Sequence, residues 1–230
     1  MKPLSKSSIL SYEHCPYAYY LQKIKRLVPK VVPKALIKGS KVHDLMDTFY
    51  DIKGETVREK AKVLCAKKDA QEYHAPIKNF IKFNEKLEKQ KYEINPILRE
   101  SKLIDYKNNI IGIIDCVHKT KDKLILLDYK TGKKHSLKKY RFELALYAHL
   151  LEVTKNITVT HWGILFVDHS PIPVIEPISR VEMLEALDKV ENVRANILAE
   201  NFERKPSRLC AWCTCYQNNW CNGKMEEDLK

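Results

Sequence analysis

No apolar run in these 230 residues approaches the roughly 20 needed to span a bilayer. The first fifteen, MKPLSKSSILSYEHC, hold no apolar segment long enough for a secretory leader. The expectation is therefore an intracellular, cytoplasmic protein. Internal repeats and low-complexity stretches are also missing. Acidic side chains are in the minority: 29 Asp and Glu stand against 41 Lys and Arg, a net charge of +12. What is present suits a globular chain, since 44% apolar residues can fill the core of one domain with an elaborated lobe.

The excess of positive charge fits a polyanionic partner, because phosphate binding releases counterions wherever Lys and Arg cluster. The competing reading is a solvated, lysine-rich surface. Clustering favours the first. One group runs through Lys23, Lys25, Arg26, Lys30, Lys34 and Lys38, and a second through Lys130, Lys133, Lys134, Lys138, Lys139 and Arg141. Seven cysteines without a leader argue against a disulfide framework. Four of them, Cys210, Cys213, Cys215 and Cys221, fall within 12 residues, a density that points to metal or cluster ligation.

Local patterns predict a helix over 5–24, interrupted at Cys15-Pro16, and a second from Gly39 to Tyr50 with Val42, Leu45, Met46 and Phe49 at helical spacing. Residues 55–93 read as a charged helical insertion with Ile77, Phe80, Ile81, Leu87 and Tyr92 as its apolar stripe. Runs at 97–105, 109–119 and 123–129 predict a three-stranded meander. A helix over 137–153, a strand over 158–168 and a helix from Ser179 to Asn201, opened by the capping box Ser179-Arg-Val-Glu182, complete the pattern. The order βββαβ with flanking helices implies an α/β core. A single domain over 1–230 is expected, with a helical part at 1–95, a β-rich catalytic core at 96–178 and a C-terminal helix and cysteine cluster at 179–230.

The chemistry concentrates in Gly112-Ile-Ile-Asp115 and Asp128-Tyr-Lys130. Strand residues i and i+2 share a face, so Asp128 and Lys130 project together. Both acids end apolar strands, where a charge needs a partner, a metal or solvent. Two carboxylates on adjacent strands suit a hard divalent cation such as Mg²⁺ or Mn²⁺. Phosphodiester hydrolysis needs that charge neutralisation and an activated water. Lys130 would position or deprotonate the water, and as a base it would need a lowered pKa. Asp-x-Lys alone is weak: it also occurs at 51–53 and 228–230, and Glu203-Arg-Lys205 is an acidic variant. The competing reading is a hairpin whose surface ends happen to be charged.

Several features occur in one order along the chain: Ser7-Ser8 followed by Cys15-Pro16, Gly39-Ser-Lys-Val-His43, Gly112-x-x-Asp115, Asp128-x-Lys130, a helical Tyr147 and the terminal cysteines. In this the chain resembles the RecB-like branch of the PD-(D/E)xK nuclease superfamily, and looks closest to CRISPR-associated RecB-like exonucleases and their phage and archaeal-virus relatives. The resemblance implies a restriction-endonuclease-like core, a mixed central sheet flanked by helices, with a helical iron–sulfur-bound lobe. It implies that His43 and the Tyr129 carbonyl join Asp115 and Asp128 as metal ligands, and that Tyr147 sits near the DNA or the active site. Core packing is the alternative for Tyr147. Asp128 stands where Glu is commoner. Glu143 stands where the family has Gln, and a carboxylate there is expected to repel phosphate or alter the metal geometry.

The same resemblance implies a 4Fe–4S cluster held by Cys15, Cys210 and Cys221 with either Cys213 or Cys215; the Cys-x-x-Cys spacing favours Cys213 and leaves Cys215 as the spare. Structural zinc is the alternative, since four thiolates also suit tetrahedral zinc. Trp212, Tyr216 and Trp220 are read as shielding that site, with base stacking as the alternative. Cys65 and Cys116 are read as small buried residues. The function implied is a single-stranded DNA exonuclease of 5′ to 3′ polarity. The rival readings are a nucleic-acid-binding protein that cleaves weakly or not at all, and a subunit of a recombination or CRISPR adaptation complex that cleaves only with its protein partner. No membrane role is expected, and the oligomeric state stays open.

Overall fold

The computed structural model describes residues 2–30 and 32–223. A two-residue strand, β1 (Leu4–Ser5), leads into α1 (Lys6–His14), where the Ser5 hydroxyl accepts the Ser8 N–H at 3.2 Å. Proline cannot continue the α1 ladder, so the chain breaks at Cys15 and restarts as α2 (Pro16–Tyr19), which runs into a π-turn over Tyr20–Ile24. After Pro33, α3 (Lys34–Asp51) starts more than a turn before the expected Gly39. The charged insertion is helical but in three pieces: α4 (Val57–Cys65), α5 (Lys68–Glu72) and α6 (His74–Lys89). A complete capping box of Thr56 and Glu59 starts α4.

The meander follows as β2 (Leu98–Asp105), β3 (Ile110–Lys119) and β4 (Leu124–Lys130), each within a residue of its expected bounds. Then come α7 (Arg141–Lys155), β5 (His161–Phe166), β6 (Val174–Pro177), α8 (Arg180–Leu198), a 3₁₀ turn over Arg208–Trp212 and α9 (Thr214–Gln217). Only half of the predicted box at Ser179 forms. The Ser179 hydroxyl takes the Glu182 N–H at 3.2 Å, but the Glu182 carboxylate goes to Arg141 at 2.9 Å. Among the described residues no helix is long and apolar enough to cross a membrane.

The chain divides into two compact units, 33–184 and 1–32 with 185–230. The boundaries expected from sequence lay elsewhere, at 95 and 178. In the first unit the strands run β2-β3-β4-β5-β6. All neighbours are antiparallel except β4 and β5, which are parallel and joined through α7, so the sheet is mixed. One face packs on α3 and the helical insertion: Val42, Met46 and Phe49 of α3 and Ile77 and Phe80 of α6 meet Cys116, Leu127, Tyr129 and Leu165. The other face carries α7, buried continuously from Glu143 to Leu151. Gly112 is what lets α7 come close. A Cβ there would lie 2.8 Å from Leu150 Cδ1 and 2.9 Å from Tyr147 Cε1. The fold is thus α/β, a mixed sheet with helices on both faces.

In the second unit α1 is anchored by the Tyr12 hydroxyl, which donates to the Asn201 carbonyl, and by a Lys189–Glu13 ion pair at 3.1 Å. Ala18, Leu21 and Cys215 form a small core there, with Cys15, Cys213, Cys221 and Trp220 packed around it.

Candidate functional site

Pairing register explains why the acidic groups meet. Arg99 pairs with Cys116 and Ser101 with Ile114, which brackets Glu100 opposite Asp115. Cys116 pairs with Leu127, so Asp128 lies one step past that pair, level with Asp115. Glu100, Asp115 and Asp128 thus stand abreast on three neighbouring strands. Like charges side by side are unfavourable, and Glu100 takes a left-handed φ of 38° within β2. The α3 helix brings His43 to the row, and its C-terminal end is tied to β2 by Arg99, which reaches Asp47 at 2.6 Å and also Asp51.

Alternation on β4 is as expected. Lys130 Nζ lies 2.6 Å from Asp128 Oδ2 and 3.3 Å from Glu143 Oε1, with the Tyr140 ring centroid at 5.6 Å. The Tyr129 side chain points the other way, into the core, where its hydroxyl meets the Tyr50 hydroxyl at 3.2 Å and Cys116 Sγ at 3.1 Å. Its backbone is pinned at the site: the N–H donates to Asp115 Oδ2 at 2.7 Å, and the carbonyl faces His43 Nε2 at 3.1 Å. On its other edge, His43 Nδ1 lies 3.6 Å from Asp115 and 3.9 Å from Glu100, long for hydrogen bonds but close for charge attraction.

Electrostatics separate the two aspartates. Burial pushes both up. For Asp115 the His43 imidazole, Lys130 and the Tyr129 N–H outweigh it and hold the carboxyl below its ordinary range. For Asp128 burial wins, with Asp115 and Glu143 adding repulsion against the pull of Lys130, and the group is pushed up to about 8. Burial would lower His43, but Asp115 and Glu100 outweigh it and raise the imidazole to about 10. Lys130 is likewise penalised by burial, yet Asp128, Glu143 and Asp115 push it above its ordinary value. With no cation bound, these carboxylates hold Lys130 as an ammonium.

A divalent cation fits these residues. Ligand atoms of His43, Glu100 and Asp115 lie within 4.8 Å of one another. The ammonium contact to buried Asp128 Oδ2 is close enough for an ion pair but off hydrogen-bond direction, so no donor among the described residues is aimed at that oxygen. Oxygen donors with one imidazole suit Mg²⁺ or Mn²⁺. A cation there would also return His43 to its neutral, ligating form.

All the candidates read from sequence in this region converge: His43, Asp115, Asp128, Tyr129, Lys130 and Tyr147. Tyr147 is buried, with its ring against Gly112 and its hydroxyl donating to Glu143 at 3.3 Å. Glu143 corrects an expectation. Its carboxylate is buried and turned to Lys130 and Tyr147, so it does not present itself to phosphate. Glu100 was missed; the available signal was an acid opposite Asp115 in the meander. The other acidic triplets lie elsewhere. Asp51 is taken by Arg99, Lys205 donates to the Glu13 carbonyl at 3.3 Å, and 228–230 lies outside the described residues.

In the second unit Cys15, Cys210, Cys213, Cys215 and Cys221 line one cavity of about 270 Å³. None is in a disulfide. Cys215 is 1% exposed and is pushed up to about 11 by burial, despite a 3.3 Å hydrogen bond from Gln22 Nε2. Zinc-bound thiolates would lie about 3.8 Å apart, and among the described residues no three cysteine sulfurs fall within 4.8 Å of one another. Trp220 packs against this group, and Trp212 and Tyr216 line the same cavity, although Trp212 is 79% exposed. Cys116 is buried as expected; Cys65 is exposed at the end of α4, which corrects its reading as a core residue.

No curated protein sequence matches the chain. Among 23 solved chains that match its fold is the crystal structure of a presumed exonuclease from Eubacterium rectale. It is 16% identical with a TM-score of 0.58, over 100% of this chain and 93% of that one. The family model of the PD-(D/E)XK nuclease superfamily, whose members use divalent metals, matches residues 3–222. That span takes in both units and every residue of the acidic row, and the chain belongs to the PD-(D/E)XK nuclease superfamily.

Proposed function

We propose that the chain is a Mg²⁺- or Mn²⁺-dependent exonuclease on single-stranded DNA, of 5′ to 3′ polarity and RecB-like type, with a 4Fe–4S cluster in its second unit. The observation that carries the hydrolase reading is the row Glu100, Asp115 and Asp128 with His43 and Lys130 at its two ends. Asp115, Asp128, His43 and the Tyr129 carbonyl would hold the cation, with Glu100 in reach. The bound cation would neutralise phosphate charge and acidify a water. Lys130, kept cationic by Asp128 and Glu143, stabilises charge developing on the phosphate. Tyr147 holds Glu143, and Glu143 holds Lys130, so the ammonium is set before substrate arrives. For the cluster, Cys15, Cys210, Cys213 and Cys221 would be the ligands. Cys215, buried and pushed up by that burial, is left as the spare, and the four remaining thiolates match a cubane, in which each meets a different iron corner.

The test is cleavage of 5′- and 3′-labelled single strands with Mn²⁺. Wild type should cut, and Lys130→Ala should lose at least 100-fold, about 2.7 kcal/mol or more of transition-state stabilisation. A visible absorption band and iron in anaerobically purified protein, both lost in Cys213→Ala, would support the cluster; a colourless zinc protein would overturn it. One observation favours a second reading, a DNA-binding protein that cleaves weakly: Lys130 is clamped between two carboxylates. In that case Glu143→Gln would raise cleavage rather than lower it.

A further inference from the structure

The acidic row sets three carboxylates, Glu100, Asp115 and Asp128, beside a substrate that is itself an anion. Something beside the row must offset that repulsion. Directly after Lys130 the chain makes a tight loop, 131–136, and a 3₁₀ turn, Leu137–Tyr140. Together they carry Lys133, Lys134, Lys138 and Lys139, all exposed. None of the four has an ion-pair partner among the described residues.

The loop is held from the opposite side. Asp168, just past β5, accepts the Gly132 N–H at 2.5 Å and takes Lys38 of α3 through both oxygens, at 2.9 and 2.8 Å. Next to it His169 Nε2 lies 2.6 Å from the Gly132 carbonyl. Gly132 itself has a left-handed φ of 83°, which a side chain would strain. A mobile surface loop would need none of these ties. Asp168 is spent on the clasp, so it does not neutralise the loop lysines.

We propose that loop 131–136 and the following turn form a phosphate-binding track for the substrate strand, and that Asp168 is a positioning residue that aims it. The inference rests on the nuclease reading for its substrate and deepens it by naming where the backbone next to the scissile phosphate is held. Because the track touches phosphates rather than bases, it reads no sequence.

The experiment uses the full chain and labelled oligo(dT) with Mn²⁺. Lys133→Ala/Lys134→Ala should raise KM roughly tenfold, lower kcat far less, and flatten the slope of log K against log salt by about 0.7 for each phosphate that is no longer neutralised. Mn²⁺ affinity by titration should not change. Asp168→Ala should reproduce the KM effect, and Asp168→Asn, which keeps an acceptor for Gly132, should partly rescue it. Lys121→Ala/Lys123→Ala, at the far end of β4, is the control. If wild type cleaves and the loop variants keep its KM and salt slope, the track is wrong and the nuclease reading stands. If wild type binds oligo(dT) without cleaving it while the loop variants lose the salt slope, the hydrolase reading fails and the track survives.

Discussion

Side chains at the site are governed by what burial costs and which neighbour offsets it. His118, on β3, shows the cost with no offset. It is 3% exposed, neither ring nitrogen has a partner among the described residues, and burial alone pushes it down to about 4. Its folded pKa lies below the ordinary unfolded value of about 6.5. The folded state therefore binds fewer protons than the unfolded one between the two. Stability from this group is full above about pH 6.5 and drains away as pH falls toward 4, by on the order of 3 kcal/mol. Denaturant melts of wild type and His118→Leu at pH 7 and pH 4 should show the variant losing less by roughly that amount. An equal loss would mean that His118 is solvated. Neighbours decide the opposite outcome at Lys130, where three carboxylates overturn burial. The word-like pattern Asp-x-Lys contains only one of them, and so the direction of the lysine's shift could not be read from it.

Elements set which of these neighbours meet. The meander was legible because apolar runs end sharply at Lys-Asn-Asn and Lys-Thr-Lys-Asp, and its bounds hold to within a residue. Lost in one dimension was register: nothing local says that Glu100 stands opposite Asp115, because that depends on where two strands slide to rest. Likewise β6 is a four-residue edge after two prolines, too short to show a period. The close approach of α7 depends on Gly112, whose part in the Gly-x-x-Asp pattern is steric. Gly112→Ala should cost about 1–3 kcal/mol through overpacking against Leu150 and Tyr147. Because Tyr147 anchors Glu143 and so Lys130, cleavage should fall by more than the unfolded fraction accounts for. Cleavage assays at a temperature where circular dichroism shows both proteins folded would check this.

Across the whole molecule, the metal-free site is a concentration of like charge that a divalent cation would relieve. Manganese at about 100 times its dissociation constant should stabilise the folded state by about 2.7 kcal/mol, and excess EDTA should remove that gain. For a chain of this size the rise in Tm is roughly 5–10 °C. Calorimetry with Asp115→Asn should show no rise, and a rise that persists would place the ion elsewhere. The cysteines were legible as a group by density alone, but that Cys215 is the buried one, at 1% exposure, was not. The division of the chain was not legible, because the second unit is assembled from both chain ends and no stretch of composition marks that.

Tyr129 sits between the two charged groups of β4, with its ring in the apolar layer and its carbonyl toward His43. Chemistry and architecture therefore share three consecutive residues. Any drift in the interior around Tyr50, Phe80 or Cys116 that tilts this ring also turns the peptide plane that faces His43. Over evolutionary time, tolerance to interior change should be narrowest there, in a layer that no substrate ever reaches.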